Sequence, residues 1–83
     1  MKKITLGIDG MACNMCESHI NDAIRNNYSN IKKVTSNHKK NETIIICEDD
    51  IAESDLANTI KEIGYSITSY MIEEYKKKGL FGL

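Results

Sequence analysis

Hydrophobic spacing divides the first half of the chain into a strand, a helix and a weaker strand. Every second residue from 4 to 8 is apolar, which predicts a strand with one buried face. From about residue 14 to residue 27 the apolar residues recur three and four positions apart, which predicts an amphipathic helix. Around Val34 the pattern is less regular, because Ser36 and His38 stand where further inward-facing apolar residues would continue a strand. We therefore expect a second strand that is short or that splays toward solvent at its end.

The second half of the chain predicts a strand, a helix and a final strand. The β-branched run at residues 43–47 is typical of a strand. Ser54 and Asp55 can cap a second helix, and Gly64 stands in the usual closing position. Residues 65–72 return to a strand pattern. The order β-α-β-β-α-β predicts an α+β fold, a ferredoxin-like βαββαβ sandwich with two helices on one face of a four-stranded antiparallel sheet.

Composition indicates one small soluble domain. The chain has 83 residues, of which 41% are hydrophobic and 28% are charged. A net charge of −1 gives no broad attraction to nucleic acid or to anionic membranes, and no apolar run approaches the roughly 20 residues that span a bilayer. The N-terminal residues lack the apolar core of a signal peptide. Three cysteines, an odd number, fit a reducing compartment, so the sequence predicts a cytoplasmic protein.

Cys13 and Cys16 are the residues that carry chemistry, and they lie between the first strand and the first helix. If Cys13 is in the loop and Cys16 in the first helical turn, both sulfurs converge on one point. The unpaired N–H groups and the positive dipole end of the helix favour the thiolate form of each. Such a pair suits a soft metal ion of low coordination number.

Two short motifs stand at matching ends of the predicted elements. The first is Gly-Met-x-Cys-x-x-Cys at residues 10–16, after a strand and before a helix. The second is Ile-Gly-Tyr at residues 63–65, at the end of the second helix. Together they resemble the heavy-metal-associated domain, the family of cytosolic copper chaperones and of N-terminal modules of heavy-metal P-type ATPases. The resemblance covers residues 3–68, about four-fifths of the chain. We assign residues 1–72 to this domain and residues 73–83 to a C-terminal tail.

The resemblance implies a site as well as a fold. It implies that Cys13 and Cys16 hold Cu(I) at the solvent edge of the molecule. It also implies that Met11 turns inward beneath the loop as a packing residue and that Tyr65 lies near the metal. The expected mechanism is carriage and not enzyme catalysis, with the ion passing by ligand exchange to a copper-transporting P-type ATPase.

Ligand number and softness favour copper over other thiophilic metals. Two thiolates satisfy Cu(I), whereas zinc prefers four ligands in a tetrahedron. Family members that handle zinc or cadmium tend to carry an acidic residue just before the first motif cysteine, where this chain has Ala12. Mercury is also content with two thiolates, but its carriers in this family are periplasmic. Cu(I) is therefore the expected cargo, with Zn, Cd and Hg left open.

Two other classes compete with metal carriage. A thiol-disulfide redox protein would also use two cysteines three positions apart, but this chain has no Pro and no Trp, which the thioredoxin fold usually places in and around that motif. A nucleic-acid binder on the same fold needs exposed aromatic residues and a basic groove, and one Phe and four Tyr do not form that pattern. Metal carriage is the function that the sequence favours.

The remaining candidate residues have ordinary structural interpretations. Cys47, in a strand, is expected to be a buried structural thiol. Met15, His19 and His38 are expected at the surface, with the roles of Met15 and Cys47 left open. The tail, residues 73–83, combines three lysines with an apolar end, which allows weak contact with a membrane or a partner. We expect a monomer and leave open a metal-bridged dimer.

Overall fold

A computed structural model describes residues 1–75, which form four strands and two helices in the predicted order. The elements are β1 (Lys2–Asp9), α1 (Asn14–Asn27), β2 (Ile31–Asn37), β3 (Glu42–Cys47), α2 (Glu53–Glu62) and β4 (Ser66–Glu74). The strands form one antiparallel sheet in the order β2-β3-β1-β4. Helix α1 packs on β2, α2 packs on β4, and the helices contact each other. The predicted ferredoxin-like fold is confirmed.

The hydrophobic core lies between the sheet and the two helices. Strand β1 is central in the sheet, and its alternate residues Ile4, Leu6 and Ile8 are fully buried. Helix α1 contributes Ile20 and Ile24 to the same core. Because side chains alternate across a strand and recur every three or four residues on a helix, one apolar set from each element faces inward. Burial of this set holds β1 and α1 in one core, so it also fixes the two ends of the loop that joins them.

Strand β2 differs from the expectation of a short or splayed element. It runs seven residues, and Ser36 points inward with 9% of its surface exposed. The Ser36 hydroxyl donates to Oδ1 of Asn21 at 2.7 Å and lies 2.8 Å from Oγ1 of Thr43. A buried hydroxyl with two partners costs little free energy, so a polar residue can occupy this inward position. The apolar pattern alone could not reveal these partners.

Helix α2 begins one residue earlier than the predicted cap. Ala52 is the N-cap residue, with no side-chain cap, and its carbonyl accepts hydrogen bonds from the amides of Asp55 and Leu56. Glu53 and Asp55 lie in the first turn, where negative charge is favourable next to the helix dipole. The helix itself therefore begins with Glu53, and the predicted cap residue Ser54 lies inside it.

The end of α2 fixes the start of β4. Gly64 adopts φ +92°, as expected of a glycine that ends a helix. Its amide donates to the carbonyl of Lys61 at 3.0 Å, and the amide of Tyr65 donates to the carbonyl of Ile60 at 3.1 Å. These two hydrogen bonds form a Schellman motif, which satisfies carbonyls at the helix end and sets the position of Tyr65.

Strand β4 extends two residues beyond the predicted boundary at Ile72. Glu73 and Glu74 pair with β1 residues, and the amide of Tyr75 donates to the carbonyl of Met1 at 2.9 Å. The first residues of the predicted tail are therefore part of the sheet. Residues 76–83, which hold its three lysines and apolar end, lie outside the described residues. Among residues 1–75, neither helix is long and apolar enough to cross a membrane.

Candidate metal site

The loop between β1 and α1 turns sharply at Gly10 and carries both motif cysteines to the surface. Gly10 adopts φ +98°, a conformation that side-chain-bearing residues rarely reach. A Cβ atom at this position would also lie 3.3 Å from Cδ1 of Tyr65. The loop ends at Cys13, the N-cap of α1, whose extended backbone has φ −155° and ψ 172°. The fold thus places Cys13 before the helix and Cys16 in its first turn, as the sequence predicts.

The two motif sulfurs lie next to each other. Sγ of Cys13 is 3.2 Å from Sγ of Cys16, and both residues are free thiols. Cys13 is exposed and Cys16 is partly buried. The Cys13 carbonyl accepts the amide of Glu17 at 3.2 Å, while its side chain makes no cap hydrogen bond. The backbone therefore holds the start of the helix, and the Cys13 sulfur contacts Cys16 instead of capping the helix.

Hydrogen-bond donors around Cys16 favour its thiolate form. The Tyr65 hydroxyl is the largest cause, followed by the Ala12 backbone and the Cys13 side chain, and together they lower the pKa of Cys16 to about 6. Partial burial opposes this shift but is outweighed. Thiols at helix N-termini commonly have a pKa below the usual value. Near neutral pH, Cys16 is therefore mostly a thiolate, the form that binds metals.

Tyr65 lies beside the cysteine pair because the Schellman motif at the end of α2 directs the chain toward the loop. Its pKa is raised, chiefly by the hydrogen bond to Cys16 and then by burial and by the charges of Cys16 and Cys13. A phenol with a raised pKa remains protonated at neutral pH and keeps its proton for donation. The structure thus brings Tyr65 together with the cysteine pair.

The structure separates two other sulfur atoms from the exposed pair. Met11 is 3% exposed and belongs to the core cluster, so its thioether packs beneath the loop. Cys47 is fully buried and pairs with Lys2, whereas the loop follows Asp9 at the other end of β1. Seven residue steps along a strand span about 23 Å. Cys47 is thus far from the site, and it is buried, as the sequence predicts.

Glu17 and His38 form a contact that sequence reasoning missed. The Glu17 carboxylate accepts the His38 backbone N–H at 2.8 Å, and its Oε2 also lies 2.7 Å from Nδ1 of the same residue. These contacts, led by the backbone hydrogen bond, lower the pKa of Glu17. They tie the residue directly after Cys16 to the turn between β2 and β3. No local pattern could reveal this contact, since it depends on how α1 packs against the hairpin.

The donors at the site are two sulfurs and one phenol. Within residues 1–75, no three His, Cys, Asp or Glu side chains come together as a metal-binding group. The other candidate ligands lie on the surface of α1, where Met15 has 66% of its surface exposed and His19 is also exposed. The arrangement of Cys13 and Cys16 can bind a soft ion through two sulfurs, or it can be oxidised to a disulfide.

Solved structures of other proteins have the same fold as this chain. A CopZ metallochaperone is 24% identical, with a TM-score of 0.71 over 80% of this chain and 98% of its own. A copper-binding domain from HMA7, a P-type ATPase, is 23% identical, with a TM-score of 0.70 over 89% of this chain and 96% of its own. Oxidized MerP from Ralstonia metallidurans CH34 is 18% identical, with a TM-score of 0.68 over 89% of this chain and 100% of its own. No family model and no curated protein sequence matches the chain. At these identities, the shared property is the ferredoxin-like βαββαβ fold.

Proposed function

We propose that the chain binds Cu(I) through Cys13 and Cys16 and passes it by ligand exchange to a partner protein. The observation that carries the proposal is the pair of free sulfurs 3.2 Å apart, one exposed, at the surface of the loop. The pKa of about 6 at Cys16 adds to it, because metal binding requires thiolates. Zinc in tetrahedral sites prefers four ligands, whereas two soft thiolates suit Cu(I).

The geometry of the pair allows such an ion to bind. A metal–sulfur bond is about 2.3 Å long, so one ion can reach both sulfurs, and linear coordination needs them about 4.6 Å apart. Cys13 is exposed in a loop, and no cap hydrogen bond holds its side chain. Rotation of Cys13 can therefore open the pair while the helix holds Cys16 in place. We infer that Cys16 is the fixed ligand and Cys13 the mobile one.

Exposure of Cys13 also suits transfer. A thiolate of the partner can approach the ion from solvent and form a three-coordinate intermediate, after which the bonds to this chain break. The Tyr65 hydroxyl, which hydrogen-bonds Cys16, would limit access of further ligands, while buried Met11 supports the loop. We propose a copper-transporting P-type ATPase as recipient, because a P-type ATPase domain that binds copper has the same fold.

The proposal places the protein in the cytoplasm, where thiols stay reduced. It describes a carrier and not an enzyme, since ion transfer alters no covalent bond of a substrate. The similarity to a CopZ metallochaperone supports this role.

Mercury carriage and thiol-disulfide exchange are the alternatives. Two thiolates also satisfy soft Hg(II), which supports the first, and two sulfurs at 3.2 Å with a lowered thiol pKa support the second. A competition titration separates all three. The reduced protein is titrated with Cu(I), Zn(II) and Hg(II), each against a chelator of known affinity, and its disulfide reduction potential is measured.

Under the proposal, the protein binds one equivalent of Cu(I) more tightly than the chelator does. It binds Zn(II) far more weakly than Cu(I). Failure of the reduced protein to take Cu(I) from the chelator would overturn the proposal. Uptake of Hg(II) without uptake of Cu(I) would assign the chain to mercury carriage. A potential as oxidising as that of disulfide-forming catalysts, together with no metal uptake, would assign it to redox exchange.

A further inference from the structure

We propose that Met15 and His19 form a second, weaker Cu(I) site on the exposed surface of α1, beside the cysteine pair. The inference rests on the proposed function in one respect, since it takes copper to be the metal that the protein meets. The site itself uses neither cysteine, so it can be tested without them.

Helix geometry brings the two side chains together. Both lie in α1, which runs from Asn14 to Asn27, and they are four residues apart. Residues at this spacing share a helix face, with Cβ atoms about 5–6 Å apart. Helical side chains lean toward the N-terminus, so His19 leans over the turn that carries Met15. With metal bonds of about 2.0–2.3 Å, one ion can contact both the thioether and the imidazole.

Exposure sets Met15 apart from the other methionine of the loop region. Met11 is 3% exposed, whereas Met15 is 66% exposed at a position next to Cys16. The Met15 thioether is therefore accessible to an ion from solvent, whereas that of Met11 is not. His19 is exposed as well, and it lines a shallow groove between the helices with Asp22 and Ile63.

Both donors are also free to bind. Three polar side chains of α1 near them already have partners: Glu17 with His38, Asn21 with Ser36, and Asp22 with Arg25. Within the described part of the chain, Met15 and His19 have no hydrogen-bond or ion-pair partner of their own. A metal ion can bind them without displacing an existing contact.

The chemistry of the pair selects copper. A thioether is a soft ligand and favours Cu(I), while an imidazole binds copper but also zinc. Two neutral donors attract the cation less than two thiolates do, so this site is the weaker of the two. An ion held there can move to the cysteines: its bonds to Met15 and His19 break as bonds to the sulfurs of Cys13 and Cys16 form. Copper stays Cu(I), and any proton on a thiol leaves to solvent.

The experiment uses Ag(I), a soft monovalent ion that does not undergo redox cycling, and a protein with both motif cysteines replaced (Cys13→Ser and Cys16→Ser). Methionine methyl and histidine ring signals are followed by NMR as Ag(I) is added. We expect the Met15 methyl and the His19 ring to shift together and to saturate at one equivalent. Met71, 57% exposed on a strand, serves as an internal control that does not shift in parallel.

Single variants in the same background test the pairing. Met15→Leu and His19→Gln should each weaken Ag(I) affinity at least about tenfold, which is 1.4 kcal/mol of binding free energy. Met71→Leu should leave the affinity unchanged. Equal shifts of Met15 and Met71, or a His19 shift that survives Met15→Leu, would overturn the second site.

Failure of the second site is distinct from failure of the proposed function. If the protein with intact cysteines takes up Cu(I) but the double-serine protein shows no paired shift, only the second site is wrong. If the paired shift occurs but the intact protein fails to bind Cu(I) tightly, the site stands and the carrier proposal falls.

Discussion

Cys16 and Cys47 lie near opposite ends of β1, and the fold shifts their thiol pKa values in opposite directions. Near the end that follows Asp9, donors from Tyr65 and the loop backbone lower the pKa of Cys16 to about 6. Near the end at Lys2, burial is the largest cause that raises the pKa of Cys47, followed by the charges of Asp50 and Asp49. Donors and partial exposure produce a reactive thiolate, whereas burial without strong donors produces an inert thiol. Reactivity therefore follows from position in the fold and not from the cysteine itself.

Removing each thiol tests this comparison most strongly. Replacing Cys13 and Cys16 by Ser should abolish Cu(I) binding in a chelator competition, because both proposed ligands are lost, while circular dichroism shows an intact fold. The matched control, Cys47→Ser, should keep full Cu(I) affinity but lose about 1–3 kcal/mol of unfolding free energy, since it buries a hydroxyl in an apolar site. Loss of copper binding in the Cys47 variant would contradict the proposal that Cys13 and Cys16 alone bind the ion.

Oxidation should also distinguish the exposed cysteine pair from the buried Cys47, with the next largest effect. A mild thiol oxidant should join Cys13 to Cys16, whose sulfurs are 3.2 Å apart, and leave the buried Cys47 reduced. The oxidised protein should not load Cu(I), and a thiol reductant should restore loading. Peptide mapping after alkylation identifies the bonded pair. Cu(I) uptake by the oxidised form equal to that of the reduced form would exclude these cysteines as ligands.

Removal of the Tyr65 hydroxyl should shift the Cys16 titration. In Tyr65→Phe the largest cause of the lowered pKa is gone, so the pKa of Cys16 should move up toward its ordinary value of 9.0. Thiolate absorbance in a protein that retains only Cys16 measures this shift. The matched control is Tyr28→Phe, which removes a hydroxyl that contacts Thr59 at 3.0 Å. An unchanged Cys16 titration in Tyr65→Phe would remove Tyr65 from the site.

The same variant has a consequence for stability. Between pH 9 and pH 6 the unfolded chain, with the ordinary pKa, binds a proton at Cys16 that the folded chain does not. Stability should therefore rise with pH across this window, and the contribution is lost as pH falls through about 6. Urea unfolding at several pH values should show a smaller rise in Tyr65→Phe than in the unmodified protein.

The smallest effect concerns the charges near Cys47. Asp50→Asn should lower the pKa of Cys47, since the Asp50 charge raises it, but burial remains the larger cause. One exposed charge contributes at most about 1 kcal/mol, so the alkylation rate of Cys47 should increase by less than about fivefold. A rate that approaches that of Cys16 would mean that charge, and not burial, keeps Cys47 inert.

Local patterns in the sequence predicted most of the fold. The bounds of α1 followed from helical spacing, and the loop position of Cys13 followed from its place between a strand and a helix. Burial of Cys47 followed from its alternation with apolar neighbours in a strand. These properties depend on residues close in the chain, which is why periodicity reveals them.

Contacts between distant residues were not predictable in the same way. Ser36 was expected to weaken β2, but Asn21 and Thr43 satisfy its hydroxyl from two other elements. His38 was expected to be an ordinary surface residue, yet it binds the carboxylate of Glu17. Each contact depends on the packing of a helix against a hairpin, which no single segment encodes. Tyr65 was expected near the site only through family resemblance, since periodicity does not indicate where a loop tyrosine points.

Gly10 lies so close to the Tyr65 ring that the residues allowed at positions 10 and 65 depend on each other. A methyl group at position 10 would lie 3.3 Å from the Tyr65 ring, and the backbone there has φ +98°. Of these two obstacles, replacement of the tyrosine removes only the first. In a double-mutant cycle, Gly10→Ala should therefore cost less stability when Tyr65 is Ala, while a cost from backbone strain remains. A chain with a side chain at position 10 should therefore need a smaller residue at position 65, would still carry the backbone strain, and would lose the phenol that lowers the pKa of Cys16.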